Sequence, residues 1–65
     1  MSDEVIRAYL YIVAQINSGF YFEPHDARMA SLAFASYIQT CDQRAADDLL
    51  KIAINVGYKM REQHE

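Results

Sequence analysis

Apolar residues recur every three or four positions through residues 3–17, a spacing typical of one face of a helix. Asp3 and Glu4 would occupy the first turn, where the helix dipole favours negative charge, and Gly19 stands where a helix would end. The stripe consists of Val5, Tyr9, Ile12, Val13 and Ile16. Ile6 and Leu10 widen it, so the pattern predicts a helix that is covered on more than one side.

A β-hairpin is the alternative for this first segment. Residues 9–13 are good strand formers, and residues 17–19 could turn into the aromatic run at 20–22. The polar residues do not alternate as they do in a half-buried strand, so we predict a helix.

A second helix is predicted over residues 24–40. Pro24 suits the first helical position, where its missing N–H is not needed. The apolar stripe comprises Ala30, Ala33, Phe34, Tyr37, Ile38 and Cys41. Ala27, Ser31 and Ala35 form a second line of small residues. This line either lets another helix approach closely or simply reflects good helix formers.

A third helix is predicted over residues 42–63. Thr40 and Gln43 have the spacing of a capping box, and Asp42 is the alternative cap. One continuous helix from Pro24 onward is the alternative, because no glycine or proline lies between the two segments.

The third predicted helix has an apolar seam that steps by three and four through Ala46, Leu49, Ala53, Val56 and Met60. The opposite face carries Asp47, Lys51, Asn55, Lys59 and Glu62 and is expected to meet water. Gly57 would provide a notch for a crossing helix or a point of fraying.

The composition indicates that these helices need a further partner. A domain of 65 residues buries only about 60% of the surface of its unfolded chain, yet 52% of the residues are hydrophobic. The single cysteine excludes an internal disulfide, so oligomerisation is the remaining common way to stabilise so small a domain. We therefore expect one all-α domain over residues 1–65, a small bundle of two or three short helices completed by dimerisation. Its expected core and dimer contacts are Tyr9, Ile12, Val13, Ile16, Leu49, Ala53, Val56 and Met60.

The charge pattern argues against nucleic acid as a partner. The net charge is -3, and the six basic residues are spread along the chain, whereas phosphate binding needs a clustered basic face. The longest apolar run, residues 8–14, is too short to span a bilayer, and no basic signal-peptide region opens the sequence. We expect a cytoplasmic protein that binds neither nucleic acid nor membrane.

Few residues are candidates for chemistry. His25 and Asp26 are adjacent and do not share a helix face, so they are interpreted as a solvated helix opening. Cys41 is expected to be a half-buried structural cysteine. Asp47 and Asp48 would point about 100° apart on a helix. We therefore predict no catalytic residue, no metal site and no cofactor, and we expect that the protein is not an enzyme.

Three consecutive aromatic residues, Phe20, Tyr21 and Phe22, lie between the first two predicted helices. Three in sequence cannot all point the same way, so we expect one or two inward and at least one outward. Interface hot spots are enriched in aromatic residues. We expect these three to bind a partner protein, in a homodimeric regulator or inhibitor that occludes a surface of that partner. The alternative is an acidic mimic of nucleic acid, or an adaptor that docks on a basic surface of an enzyme or DNA-binding protein.

Overall fold

The computed structural model of the protein describes residues 3–60. Three helices follow one another, α1 (Asp3–Asn17), α2 (Pro24–Thr40) and α3 (Gln43–Asn55), and these residues contain no strand. The all-α fold class is confirmed. The first segment is a helix and not a hairpin.

α1 ends at a glycine in the left-handed region. Gly19 has a φ of 92°, and its N–H donates to the carbonyl oxygen of Ile16 at 3.2 Å. The N–H of Phe20 donates to the carbonyl oxygen of Gln15 at 3.1 Å. This pair of bonds is a Schellman motif, which satisfies carbonyls that the helix end leaves free.

α3 ends in the same motif. Gly57 has a φ of 113° and donates to the carbonyl oxygen of Ile54 at 3.1 Å, while the N–H of Tyr58 donates to that of Ala53 at 3.0 Å. The predicted third helix over residues 42–63 is therefore wrong at its C-terminal end. The glycine terminates the helix, because a left-handed residue cannot continue it.

The early end of α3 also shortens the predicted seam. Val56 and Met60 lie beyond the helix and are half-buried. The exposed face was predicted correctly as far as the structure reaches, since Asp47, Lys51, Asn55 and Lys59 are exposed. Residues 61–63 of the predicted helix, with Glu62, lie outside the described residues.

Cys41 separates α2 from α3. It has φ 55° and ψ 37°, the left-handed conformation, and its N–H donates to the carbonyl oxygen of Tyr37 at 2.8 Å. The possibility of one continuous helix is therefore wrong. The expectation of a half-buried cysteine is also wrong, because this turn leaves the Cys41 side chain exposed.

The cap of α3 is Asp42, the alternative that the sequence left open. Its carboxylate accepts a hydrogen bond from the backbone N–H of Arg44 at 3.0 Å. The Thr40 hydroxyl instead donates to the carbonyl oxygen of Ser36 at 2.9 Å, inside α2. The predicted capping box at Thr40 does not form.

The core is built largely from alanine. Six of the ten buried apolar residues are alanines, and the largest fully buried side chains are Ile12 and Leu49. The ten are Val5, Ala8, Ile12, Ala30, Ala33, Tyr37, Ala45, Ala46, Leu49 and Ala53. Small side chains at a contact let helices approach closely. α3 packs against both other helices, which make fewer contacts with each other.

α1 and α2 meet at an aromatic pair. The rings of Tyr9 and Phe34 are stacked, with centroids 4.1 Å apart and planes within 3°. The Tyr9 hydroxyl lies 3.5 Å from the hydroxyl oxygen of Ser31. The second line of small residues on α2 is not a buried helix contact, since Ser31 and Ala35 are exposed.

The thin shape of the molecule leaves many large apolar residues at the surface. The Cα atoms span 30 × 29 × 14 Å, and the smallest extent is that of two packed helix layers. The exposed large apolar residues within residues 3–60 are Leu10, Ile16, Phe20, Tyr21, Met29, Leu32, Ile38 and Ile54. Among the expected core and dimer residues, Ile12, Leu49 and Ala53 are buried, Tyr9, Val13, Val56 and Met60 are half-buried, and Ile16 is exposed.

Candidate protein-interaction site

The loop between α1 and α2 is fixed at both ends. The Schellman motif at Gly19 directs the chain out of α1. Pro24 begins α2, and the carbonyl oxygen of Glu23 accepts from the N–H of Ala27 at 2.9 Å. Proline and a hydrogen-bonded helix turn restrict the backbone on either side of residues 20–22. The aromatic run is therefore presented by a short, constrained loop.

The three aromatic side chains divide between the core and solvent. Phe22 is half-buried and packs against the core. Phe20 is 47% exposed and Tyr21 is 73% exposed. The structure thus places one ring inward and two outward. An aromatic side chain buries about 150–250 Å² when covered, so two adjacent exposed rings are a large apolar area for so small a molecule.

A cleft of about 240 Å³ adjoins the loop. It is lined by Phe20, Tyr21, Phe22, Glu23, Asp26, Asn55 and Val56. These residues come from the loop, from the first turn of α2 and from the end of α3. The proximity of residues 55 and 56 to the aromatic run was not predicted, because α3 was expected to continue past them.

The lining of the cleft is largely apolar but includes two acidic residues. Its charged lining residues are Glu23, which is exposed, and Asp26, which is half-buried. Neither forms an ion pair with another residue between positions 3 and 60, and the Glu23 side chain makes no capping hydrogen bond. None of the lining residues within the described part of the chain is basic. The two carboxylates are therefore available to a binding partner.

A buried polar cluster lies elsewhere, where the start of α1 meets the segment after α3. Glu4 is only 4% exposed, and its Oε2 accepts a hydrogen bond from the Tyr58 hydroxyl. A guanidinium nitrogen of Arg7 lies 3.9 Å from Glu4 Oε1. Burial raises the pKa of Tyr58, the hydrogen bond and charge of Glu4 raise it further, and Arg7 opposes the shift. The sequence placed Glu4 only in the first helical turn and gave no sign of its burial.

A second cleft, of about 490 Å³, is lined by Ile54, Gly57, Tyr58, Lys59 and Met60. It is larger than the cleft beside the aromatic loop. It reaches the last described residue, and no site is assigned to it.

The remaining candidates from the sequence are surface residues. His25, Cys41, Asp47 and Asp48 are exposed. Between residues 3 and 60 no group of three or more histidine, cysteine, aspartate or glutamate side chains is placed to hold a metal ion. No helix in the same range combines the length and apolar character needed to cross a bilayer.

No protein-family model, curated protein or solved structure matches this chain.

Proposed function

We propose that the protein is a non-enzymatic protein-interaction module, a homodimeric regulator or inhibitor that occludes a surface of a partner protein. The observation that carries this proposal is the pair of exposed rings at Phe20 and Tyr21, beside a cleft. Isolated exposed apolar residues are normal on monomers, whereas adjacent exposed aromatics are typical of interface anchors.

The loop is suited to this role because it is constrained before any partner arrives. Binding costs less when the contacting side chains need not be ordered in the complex. The glycine turn after α1 and Pro24 at the start of α2 limit the conformations of residues 20–22. Phe22 anchors the loop to the core, which leaves Phe20 and Tyr21 for the partner.

The proposed contact with a second copy lies on the outer side of α1. Leu10 is 58% exposed, and half-buried Ile6 and Val13 lie four residues before and three after it. Residues at this spacing share a helix face. A self-complementary pairing of two such faces would cover apolar surface that the thin monomer leaves in water.

An acidic mimic of nucleic acid is less well supported. Such a mimic needs negative charge gathered on one surface. The exposed side of α3 carries Asp47 and Asp48, but Arg44 and Lys51 are exposed on the same helix. Positive and negative charges are therefore mixed there.

Affinity capture from extract of the native host tests the proposal. The immobilised parent is compared with Tyr21→Ala and with Leu32→Ala, which removes a large exposed residue that does not line the cleft. We expect one protein to be retained equally by the parent and Leu32→Ala and to be lost from Tyr21→Ala, with all three melting alike. Identical retention by all three variants would contradict a binding role for the loop.

A further inference from the structure

The size of the cleft beside the aromatic loop limits what it can hold. At about 240 Å³ it is smaller than the 300–1,000 Å³ of typical small-molecule sites. A space of this size suits a single side chain. Because the proposed function gives this loop a protein partner, the expected occupant is one side chain of that partner.

The lining of the cleft favours a positively charged occupant. Aromatic ring faces attract cations, and carboxylates form charge-assisted hydrogen bonds with them. Phe20, Tyr21 and Phe22 supply the rings, while Glu23 and Asp26 supply the carboxylates. An acidic side chain would be repelled, and an apolar one would desolvate the carboxylates without compensation.

The N-terminus of α2 carries a partial positive charge that opposes the binding of a cation, but its effect is smaller than that of the two carboxylates. A helix N-terminus carries about half a positive charge. Glu23 and Asp26 together carry a formal charge of -2, and none of the lining residues within positions 3–60 is basic. The chain as a whole is also negative, with a net charge of -3.

We propose that this cleft binds an arginine side chain presented by the partner protein. The inference rests on the proposed function, since it specifies the partner's chemistry at the same site. A guanidinium is planar, so it stacks on a ring face while its edge donates to carboxylates. The ammonium group of lysine is more strongly hydrated and lacks this geometry, so it is expected to bind less well.

Peptide titrations followed by NMR test this proposal. Nine-residue glycine–serine peptides carrying a central Arg, Lys, Leu or Glu are added to the isotopically labelled protein. We expect the Arg peptide to shift the signals of residues 20–26, 55 and 56, to bind more tightly than the Lys and Leu peptides, and to weaken as salt is added. The Glu peptide should leave these signals unchanged.

Matched variants then test the role of each carboxylate. Glu23→Gln and Asp26→Asn should each weaken binding of the Arg peptide about two- to fivefold, the range expected for an exposed ion pair. Asp47→Asn removes an exposed carboxylate that does not line the cleft and should leave the affinity unchanged. All variants are first checked for the parent's melting temperature.

Three results of the peptide titrations would overturn the assignment of arginine. They are no shift with the Arg peptide, equal binding of the Leu peptide, and equal weakening by Asp47→Asn and Glu23→Gln. Cleft signals that shift with protein concentration but not with peptide would assign the cleft to a second copy and also overturn it. Capture that still depends on Tyr21 would leave the proposed function standing in each case. If Tyr21→Ala still retains the partner protein and the Arg peptide binds the cleft as expected, only the proposed function is contradicted.

Discussion

The hydroxyl of Tyr58 donates a hydrogen bond to the buried carboxylate of Glu4, which ties the first turn of α1 to the chain after α3. The two residues are 54 positions apart. A buried carboxylate is costly unless hydrogen bonds replace its lost hydration. Because α3 ends at the Gly57 turn, Tyr58 does not continue the helix. The end of α3 is therefore linked to the hydrogen bond that the buried Glu4 receives.

Removing this hydroxyl should destabilise the protein. We expect Tyr58→Phe to lower the free energy of unfolding by about 1.5–3 kcal/mol, because the charged Glu4 loses a donor. Urea unfolding of the parent and the variant provides the measurement.

A double-mutant cycle separates this bond from general packing. Gln at position 4 is uncharged, so Tyr58→Phe should cost only about 1 kcal/mol in the Glu4→Gln background. An equal cost in both backgrounds would show that the Tyr58 hydroxyl does not act through the carboxylate.

The same cluster predicts a loss of stability at high pH. Burial, followed by the hydrogen bond and charge of Glu4, raises the pKa of Tyr58 above its usual value of about 10. A raised folded-state pKa stabilises the protein fully below the unfolded value. That contribution is lost as the pH rises through 10 toward the folded pKa.

Urea unfolding at a series of pH values from about 8 to 11 measures this effect. The free energy of unfolding of the parent should fall more steeply above pH 10 than that of Tyr58→Phe. A parent slope no steeper than that of Tyr58→Phe would argue against the raised pKa.

The two helix-ending glycines should differ in their tolerance of alanine. Both have positive φ, which costs an ordinary residue roughly 1–2 kcal/mol. A Cβ at Gly19 would meet nothing within 4 Å, whereas one at Gly57 would lie 2.7 Å from the Tyr11 hydroxyl oxygen. Gly57→Ala should therefore lower the melting temperature more than Gly19→Ala.

Removing the obstructing hydroxyl tests the cause of that difference. In the Tyr11→Phe background, the cost of Gly57→Ala should approach that of Gly19→Ala. The hydroxyl also donates to the carbonyl oxygen of Val56 at 3.4 Å, so Tyr11→Phe alone is the required reference. An excess cost that persists without the hydroxyl would rule out this contact as its source.

The helix boundaries show which signals are local and which are not. The end of α1 was predicted from Gly19, the start of α2 from Pro24, and the helical character of each segment from its own apolar spacing. These signals all act within a turn or two. The end of α3 was missed because apolar residues continue at helical spacing to Met60. Gly57 ends that helix, and the contact of Tyr58 with Glu4, at the other end of the chain, accompanies this turn.

The cleft was predictable only in part for the same reason. The aromatic run is visible in the sequence, and its division into inward and outward rings was expected. Asn55 and Val56 complete the cleft because α3 ends beside the loop. The apolar spacing of the sequence does not show where that helix ends. Four of the six buried alanines lie on the predicted apolar stripes, namely Ala30, Ala33, Ala46 and Ala53. The burial of Ala8 and Ala45 was not predicted, because alanine fits either a core or an exposed helix position.

The aromatic loop should divide its roles between folding and binding. Phe22→Ala should lower the free energy of unfolding by more than about 1 kcal/mol, because Phe22 packs against the core. Tyr21→Ala should change it by less than about 0.5 kcal/mol, as is usual for exposed positions. Circular dichroism melts distinguish the two variants, and an equally large loss for Tyr21→Ala would place that ring in the fold.

Self-association should depend on the outer face of α1. We expect sedimentation equilibrium at micromolar concentration to give about twice the chain mass of 7.5 kDa. Leu10→Asp should convert the dimer to monomer, because a carboxylate buried between apolar faces is left without a partner. Leu32→Asp is the matched control, since Leu10 is 58% exposed and Leu32 59% exposed, on different helices. A parent protein that sediments at 7.5 kDa and unfolds cooperatively would refute the dimer. If only Leu32→Asp dissociates the dimer, the contact lies on α2 and not on α1.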